Sequence, residues 1–293
     1  MPVRWQCQEF LTIFVHSLVN YMPQDKYNAL VDSLRKHRKI AVACSNGVGS
    51  TLLLRAAVDA LGSSHVLVIH GFSEILPSQL KSKIRLLLEV NFSSEISLVE
   101  VCVHPLHWRD FVANQANRCY VCKKNMYNLF LAVAENLGAD VLLDGSNSDD
   151  LLKQKPGLQA LAELHIPTPL AKFGFTRSDV RESAKKLGLS NAEQPSDCCL
   201  ASRIAENQRI DLSYLLLIDT TEKKLKDIGF PNCRFRLESE GYLVEIPKNL
   251  YEKSLQRKQL DSIGRTVRQV VEKMDNFSNG NSDKIRIIAR DNG

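Results

Sequence analysis

Residues 39–54 read KIAVACSNGVGSTLLL, and the fold follows from how this stretch is taken. Ile40 to Ala43 is a short apolar run of β-prone residues. Ser45 to Ser50 sets two glycines among small polar residues, and Thr51 to Leu61 carries apolar residues at helical spacing. A strand, a tight turn and a helix start in that order can expose backbone N–H groups at the positive end of the helix, which suits a phosphate. An ordinary turn between strand and helix has the same outline. Neither G-x-x-x-x-G-K-[ST] nor G-x-G-x-x-G is present.

Outward from this stretch, strands alternate with helices. His65–His70, Ile96–Val101 and Val141–Asp144 read as strands, Ser78–Asn91 and Tyr120–Leu137 as helices. The alternation predicts an α/β fold, a parallel sheet with helices on both faces. Ligands of such sheets sit beyond the carboxyl ends of the strands, so the loop after Ala43, the segment His70 to Pro77 and the loop after Leu143 should share one cleft. Cys102 lies in an apolar strand pattern and is expected in the core. Upstream, Pro2 to Arg38 reads as two helical pieces broken near Met22-Pro23, with Cys7 a buried thiol in the first and Tyr27–Leu34 forming the second. Leu158–Leu164 reads as helical, and Thr176–Gly188 as a helix with Thr176 as its cap and Asp179 three residues on.

After Glu206 the pattern changes. Asp211–Ile228 is helical, Arg234–Leu237 and Tyr242–Ile246 form an antiparallel pair, Asn249–Val271 is helical, and Asn276–Asp283 links to a short strand, Lys284–Ala289. This predicts a small α+β domain closing over the cleft. The expected division is a helical extension at 1–37, a nucleotide-binding α/β domain at 38–205, a small α+β substrate domain at 206–275, and a linker with a short tail at 276–293.

The 293 residues are 44% hydrophobic, enough to bury a core for one large domain and a smaller one. The net charge of +5 is spread with both signs interspersed, so nucleic acid is not an expected partner. Lys223, Lys224 and Lys226 read as a solvated helix face. Eight cysteines without a cleavable signal point to a reducing, cytoplasmic setting, where thiols bind metals or do chemistry. Phe10 to Val19 is too short to span a bilayer, so no membrane partner is expected.

Three further stretches carry chemistry. Arg118-Cys119-Tyr120-Val121-Cys122-Lys123-Lys124 puts two thiols three apart on one face of a helix start, able to grip a metal or cluster, to act as a redox dithiol, or simply to pack. The helix terminus, Arg118 and the lysines are expected to favour thiolate. Cys198-Cys199 lies in a loop before Arg203, which is available for an anion. Asp144-Gly145-Ser146-Asn147-Ser148-Asp149-Asp150 follows a strand, and its acids could hold magnesium or an adenylate hydroxyl, or cap the next helix.

Residues 45–50 resemble the S-G-G-x-D-S pyrophosphate loop of the N-type ATP pyrophosphatases, with Asn46 replacing a glycine and Gly49 the acid. NRCYVCKK (117–124), LLDGSNSDD (142–150) and QPSDCCLASRI (194–204) together resemble LarE, the ATP-dependent sulfur transferase family, across about Lys39 to Glu245. The resemblance implies an adenine-nucleotide alpha hydrolase-like α/β domain that adenylates a carboxylate-type small-molecule acceptor, with ATP going to AMP and pyrophosphate. It implies nucleotide contacts at Ser45, Asn46, Gly47, Val48, Gly49, Ser50, Thr51 and Asp144, and Asp149 as a candidate Mg2+ ligand. It also implies substrate contacts at Arg203, Arg234 and Arg236. Family members with a lone cysteine before L-[AS]-S-R sacrifice its sulfur. Those with R-C-x-x-C-K as well hold a 4Fe-4S cluster with an iron open to sulfide, a pattern met here by Cys119, Cys122 and Cys199. Zinc with Cys198 as fourth ligand is the rival, and a cluster-free site stays open.

Gly49 in place of the acid implies slow turnover, and an aspartate introduced at that position is expected to raise it. Glu245 and Pro247 stand where an arginine and a glutamate are expected. Three functions remain open at this point: a sulfur transferase fed by sulfide or another sulfur donor, a tRNA thiolase, and a nucleotide- or cluster-binding partner or sulfur carrier. A homo-oligomer is compatible with each.

Overall fold

A computed structural model describes residues 23–80, 83–92, 95–153, 156–195, 198–257, 259–274 and 284–291. The first helical piece with Cys7 and the linker Asn276–Asp283 lie outside the described residues.

Ile40–Ala43 forms β1, buried at every position, as its unbroken apolar run requires of a central strand. With β2 (Val66–Phe72), β3 (Ser97–Cys102) and β4 (Val141–Asp144) it makes a four-stranded sheet of order β3-β2-β1-β4, parallel throughout. The α/β architecture read from the sequence is therefore the one formed. Side chains alternate across the sheet. Ile40, Val42, Val66 and Val68 face one apolar cluster, whereas Ala41, Ala43, Leu67 and Ile69 face another. The first cluster is covered by α1 (Pro23–Leu34), α2 (Val48–Leu61), α3 (Lys83–Asn91) and, further along, Arg177–Lys186. The second is covered by α4 (Arg118–Asn136) and the helix Pro156–Glu163.

Arg177–Lys186 is α5, and its start bears the capping box expected of Thr176 and Asp179: Asp179 N–H donates to Thr176 Oγ1 at 3.1 Å, Thr176 N–H to Asp179 Oδ2 at 2.9 Å. Lys26 of α1 reaches the same carboxylate at 2.8 Å, tying the two helices together.

The C-terminal region has its own core beneath α6 (Leu212–Asp227) and a three-stranded sheet of β5 (Arg234–Glu238), β6 (Gly241–Pro247) and β7 (Ile285–Arg290). β5 and β6 are antiparallel, β6 and β7 parallel. The segment read as one helix from Asn249 to Val271 is two, α7 (Lys248–Gln256) and α8 (Leu260–Met274). Gln259 N–H bonds to Ser254 O at 2.9 Å in the break between them. In α8, Ile263, Val267, Val270 and Val271 fall on one face and are all buried, each such side chain worth about 1.5–3 kcal/mol.

This core also takes in Ile75, Phe111, Leu200, Ala201 and Ile204, residues supplied from before α6. Asn114, fully buried, clips the junction by donating from Nδ2 to the carbonyls of Ala205 at 2.7 Å and Gln208 at 2.8 Å. The chain that follows the turn Leu200–Arg203 is thereby fixed to the segment before α4. Cys102 departs from its expected place: it is exposed, because β3 is an edge strand and Cys102 lies at its end.

Candidate active site

α2 begins at Val48, and its N-cap Gly47 makes no side-chain cap bond, so the N–H groups of the first turn are left for an anion. The loop before it is braced from within. Ser50 Oγ accepts from Ser45 N–H at 3.2 Å and donates to Gly47 O at 3.0 Å, and Thr51 Oγ1 donates to the same carbonyl at 3.0 Å. Asn46 has φ of 63°, a left-handed conformation that asparagine tolerates better than most residues, which suits it to the place of a glycine. Asn191, which no sequence motif singles out, donates from Nδ2 to Asn46 O at 3.1 Å and to Thr51 Oγ1 at 2.9 Å.

Buried hydrogen-bond acceptors lie around this loop. His70 Nδ1 donates to Cys44 O at 2.8 Å, so in the tautomer with a single ring proton Nε2 is an acceptor. His70 Nε2, Asn46 Oδ1 and Asn191 Oδ1 are all buried with no hydrogen-bond partner among the described residues. Such atoms need donors, which hydroxyl or amino groups of a ligand would supply and phosphate oxygens would not.

Gly49 is not merely the position of a missing acid. A Cβ there would stand 2.6 Å from the carbonyl oxygen of Gly145, and a Cβ on Gly145 would stand 2.6 Å from Ser50 N. The turn after β4 crosses the first turn of α2 at backbone contact, and both glycines make the crossing possible. The expectation that an aspartate at position 49 repairs the loop is therefore corrected. Gly49→Asp is expected to lower stability by about 1–3 kcal/mol through overpacking, with no gain in turnover. A urea midpoint equal to wild type together with faster pyrophosphate release would reverse this.

Asp144 takes four donors. Oδ1 accepts from Ser146 N–H at 2.8 Å and from Ser146 Oγ, and Oδ2 accepts from Lys123 Nζ at 3.0 Å and from Tyr127 Oη. Burial pushes its pKa up, but the Lys123 charge and the bonds from Ser146, Tyr127 and Lys123 outweigh that and hold the carboxyl below its ordinary value. Asp149 and Asp150 act as caps. Asp149 Oδ2 accepts from Arg177 N–H at 2.7 Å at the start of α5, and Asn147 with Asp150 forms a capping box on Ser148–Leu152.

The cysteines occupy two adjoining segments. Cys119 and Cys122 lie in the first turn of α4, and Cys199 caps the turn Leu200–Arg203. Arg118 joins the segments by donating to Ala201 O at 3.1 Å, while also binding Asn114 Oδ1. Cys122 and Cys199 pack against the same apolar cluster. The expected bias toward thiolate is not what this environment provides. Burial pushes Cys122 up to about 12, helped by the nearby charges of Cys199 and Cys119, and burial likewise raises Cys199. The lysines are engaged elsewhere, Lys123 with Asp144 and Lys124 with Glu163 at 2.7 Å. Among the described residues, no three His, Cys, Asp or Glu side chains are gathered as ligands of one metal ion.

Arg203 is not available for an anion. It is 3% exposed and pairs through Nε with Glu222 Oε1 at 3.0 Å. Its Nη1 donates to the carbonyls of Cys198 at 2.6 Å and Cys199 at 3.0 Å, so its work is to hold the cysteine segment in shape. Arg236 donates to Ser202 O at 2.8 Å and pairs with Glu245 at 2.9 Å. Arg234 shares the open face of β5 with Arg236, while Phe235 and Leu237 point into the core.

These arginines line a cleft of about 990 Å³, together with Arg177, Arg181 and Arg290. Its wall holds eight basic and four acidic side chains, which makes it a place for anions. Neither residues 45–50 nor Cys119, Cys122 and Cys199 line it.

No protein-family model matches the chain. An uncharacterised protein of Synechocystis is 29% identical over 225 residues, 77% of this chain and 82% of the relative. The pyridinium-3,5-bisthiocarboxylic acid mononucleotide synthase of Lactiplantibacillus plantarum is 28% identical over 223 residues, 76% of this chain and 80% of the relative. An uncharacterised protein of Methanocaldococcus jannaschii is 27% identical over 224 residues, 73% of this chain and 80% of the relative. The synthase is a LarE protein, and similarity to it over three quarters of the sequence, on this fold, makes the chain LarE-like.

Proposed function

We propose that this protein is an ATP-dependent sulfur transferase that activates a carboxylate of a small anionic molecule as its acyl-adenylate and replaces AMP by sulfur. The observation that carries the reading is the junction at Arg118, which joins the R-C-x-x-C-K helix start to the Cys199 turn over one apolar cluster. The synthase relative is named for a bisthiocarboxylic acid mononucleotide. A thiocarboxylic acid is what results when sulfur replaces a carboxylate oxygen, and the phosphate of a mononucleotide suits a basic cleft.

Each part of the site then has a task. The uncapped first turn of α2 holds the phosphates and stabilises the charge that develops as pyrophosphate leaves. His70, Asn46 and Asn191 supply acceptors for the hydroxyl and amino groups of the nucleoside. Arg234 and Arg236 bind the acceptor's phosphate or carboxylate. The apolar surroundings of Cys122 and Cys199 keep water from the adenylate.

The R-C-x-x-C-K pattern and the Arg118 tie between the two segments support Cys119, Cys122 and Cys199 as the residues that would hold a 4Fe-4S cluster, which would have to draw the three thiols together, since they are not gathered as ligands among the described residues. When bound, such a cluster supplies an iron with an open position for sulfide. Without it, Cys199 is itself the sulfur source. Asp144 has both oxygens taken by protein donors, whereas Asp149 has only Oδ2 engaged among the described residues, which leaves it the residue to meet Mg2+ carried by ATP.

The test is anaerobic incubation with ATP, sulfide and pyridinium-3,5-dicarboxylate mononucleotide. AMP and pyrophosphate are expected in equal amounts, with oxygen-for-sulfur exchange in the acceptor. An unchanged mass of Cys199 assigns the sulfur to cluster-held sulfide, and loss of hydrogen sulfide from Cys199 in step with product assigns it to the residue. ADP in place of AMP would sink the proposal. A second reading, a nucleotide- and cluster-binding partner or sulfur carrier, is favoured by the loop's lack of an acid and the absence of room for one at Gly49. Nucleotide binding with no AMP formed would select it.

A further inference from the structure

Cys102 ends the edge strand β3, exposed, with its Sγ 3.1 Å from Nε2 of His104. The other ring nitrogen, Nδ1, is 3.9 Å from Oε2 of Glu74. Glu74 is fixed in turn, because its Oε1 accepts from Leu106 N–H at 3.3 Å. The His104 ring also stacks on His107, with centroids 5.3 Å apart and planes at 23°. Thiol, imidazole and carboxylate stand in the order used to activate a cysteine, with Glu74 within ion-pair reach of the ring but beyond hydrogen-bond distance, so that the imidazole can receive the thiol proton as the sulfur reacts.

We infer that Cys102 is a second reactive thiol, which accepts sulfane sulfur from a persulfide donor. Two observations select a sulfur donor over a small substrate. Cys102 is exposed at a sheet edge and lines neither the basic cleft nor the smaller one beside Asp149, so its reaction partner must approach from solvent. Its triad also adjoins the cysteine turn. Glu74 is followed by Ile75, whose carbonyl accepts from Leu200 N–H at 2.8 Å, directly after Cys199. Leu106 and Trp108 pack on the same apolar cluster as Cys122 and Cys199. A sulfur transferase consumes one sulfur per exchange, and the use of sulfur held at Cys102 rests on that reading of the function.

The step balances without an external oxidant or reductant. The Cys102 sulfur, its proton passed to His104, attacks the terminal sulfur of R–S–SH. A Cys102 S–S bond forms as the donor's own S–S bond breaks, and RS⁻ leaves and takes the proton from His104. Cys102 becomes a persulfide and the donor a thiol.

The test treats the full chain with glutathione persulfide and maps the added sulfur by peptide mass after alkylation. Added sulfur is expected on Cys102, and iodoacetamide should label Cys102 on the order of tenfold faster in wild type than in His104→Gln. Equal labelling in the two, or sulfur on Cys119 or Cys198 with none on Cys102, would overturn the inference. In the sulfur-transfer assay, Cys102→Ser should retain turnover with sulfide and lose turnover with the persulfide supplied together with a limiting thiol, the two-electron reductant that takes sulfane sulfur to the thiocarboxylate level. Equal turnover of wild type and Cys102→Ser on the persulfide would remove Cys102 from the supply route. If wild type forms no AMP with either donor, the proposed function fails while the sulfur mapped to Cys102 still upholds its acceptor chemistry.

Discussion

Glu222→Ala is expected to destabilise the protein by about 3–5 kcal/mol, the range for removing one partner of a buried ion pair. The carboxylate serves three elements at once. It sits on α6, pairs with Arg203 of the cysteine turn, and accepts from Phe235 N–H of β5 at 3.0 Å. Its side chain is 9% exposed and that of Arg203 is 2% exposed, so solvent cannot replace what alanine removes. The buried Arg203 guanidinium would lose its Glu222 carboxylate, and Phe235 N–H would lose its acceptor. Glu222→Gln keeps an acceptor for Phe235 and Arg203 and should cost less, about 1–3 kcal/mol. The exposed neighbour Lys223→Ala should stay within about 0.5 kcal/mol of wild type. Urea titration followed by tryptophan fluorescence reads all three, since Trp108 packs on the affected core. A shift below about 1 kcal/mol for Glu222→Ala would mean that Arg203 finds another partner.

The same pair shows where the sequence stops being informative. The stretch around residues 39–54 was legible because an apolar strand, small turn residues and a helix run are local signals, and β1, the loop and α2 follow in that order. Capping at Thr176 was legible for the same reason. Arg203 was visible, but its partner Glu222 lies 19 residues on, in a helix whose lysines are exposed. Gly49 looked like a lost acid because its actual neighbour, Gly145, belongs to a different strand's turn. Local charge around Cys119 and Cys122 was readable, whereas burial was not, and burial decides the direction in which Cys122 titrates. Cys102 misled because an apolar strand pattern does not say which strand ends up at the edge. Asn191, which braces the loop, carries no local signal at all, and His70 was marked only by its place at the carboxyl end of a strand.

Alanine at Cys119, Cys122 or Cys199 is expected to abolish the iron and acid-labile sulfide of anaerobically prepared protein, and Cys198→Ala to preserve both. The first turn of α4 places Cys119 and Cys122 on one face, three residues apart. Cys199 has φ of −61° and ψ of 153°, a polyproline-like backbone. Cys199 packs toward Cys122 on the shared apolar cluster, and its neighbour Cys198 is exposed. What Arg203 holds of Cys198 is the carbonyl. Two consecutive residues seldom both aim at one tetrahedral ion without a contorted backbone, so zinc with Cys198 as a fourth ligand is disfavoured. Three thiolates leave one iron of a cubane without a protein ligand, and removal of any of the three leaves too few to retain it. Metal analysis with sulfide determination separates the cases. Zinc lost from Cys198→Ala would establish the tetrahedral site, and full iron retained by Cys199→Ala would end the assignment of that residue to the cluster.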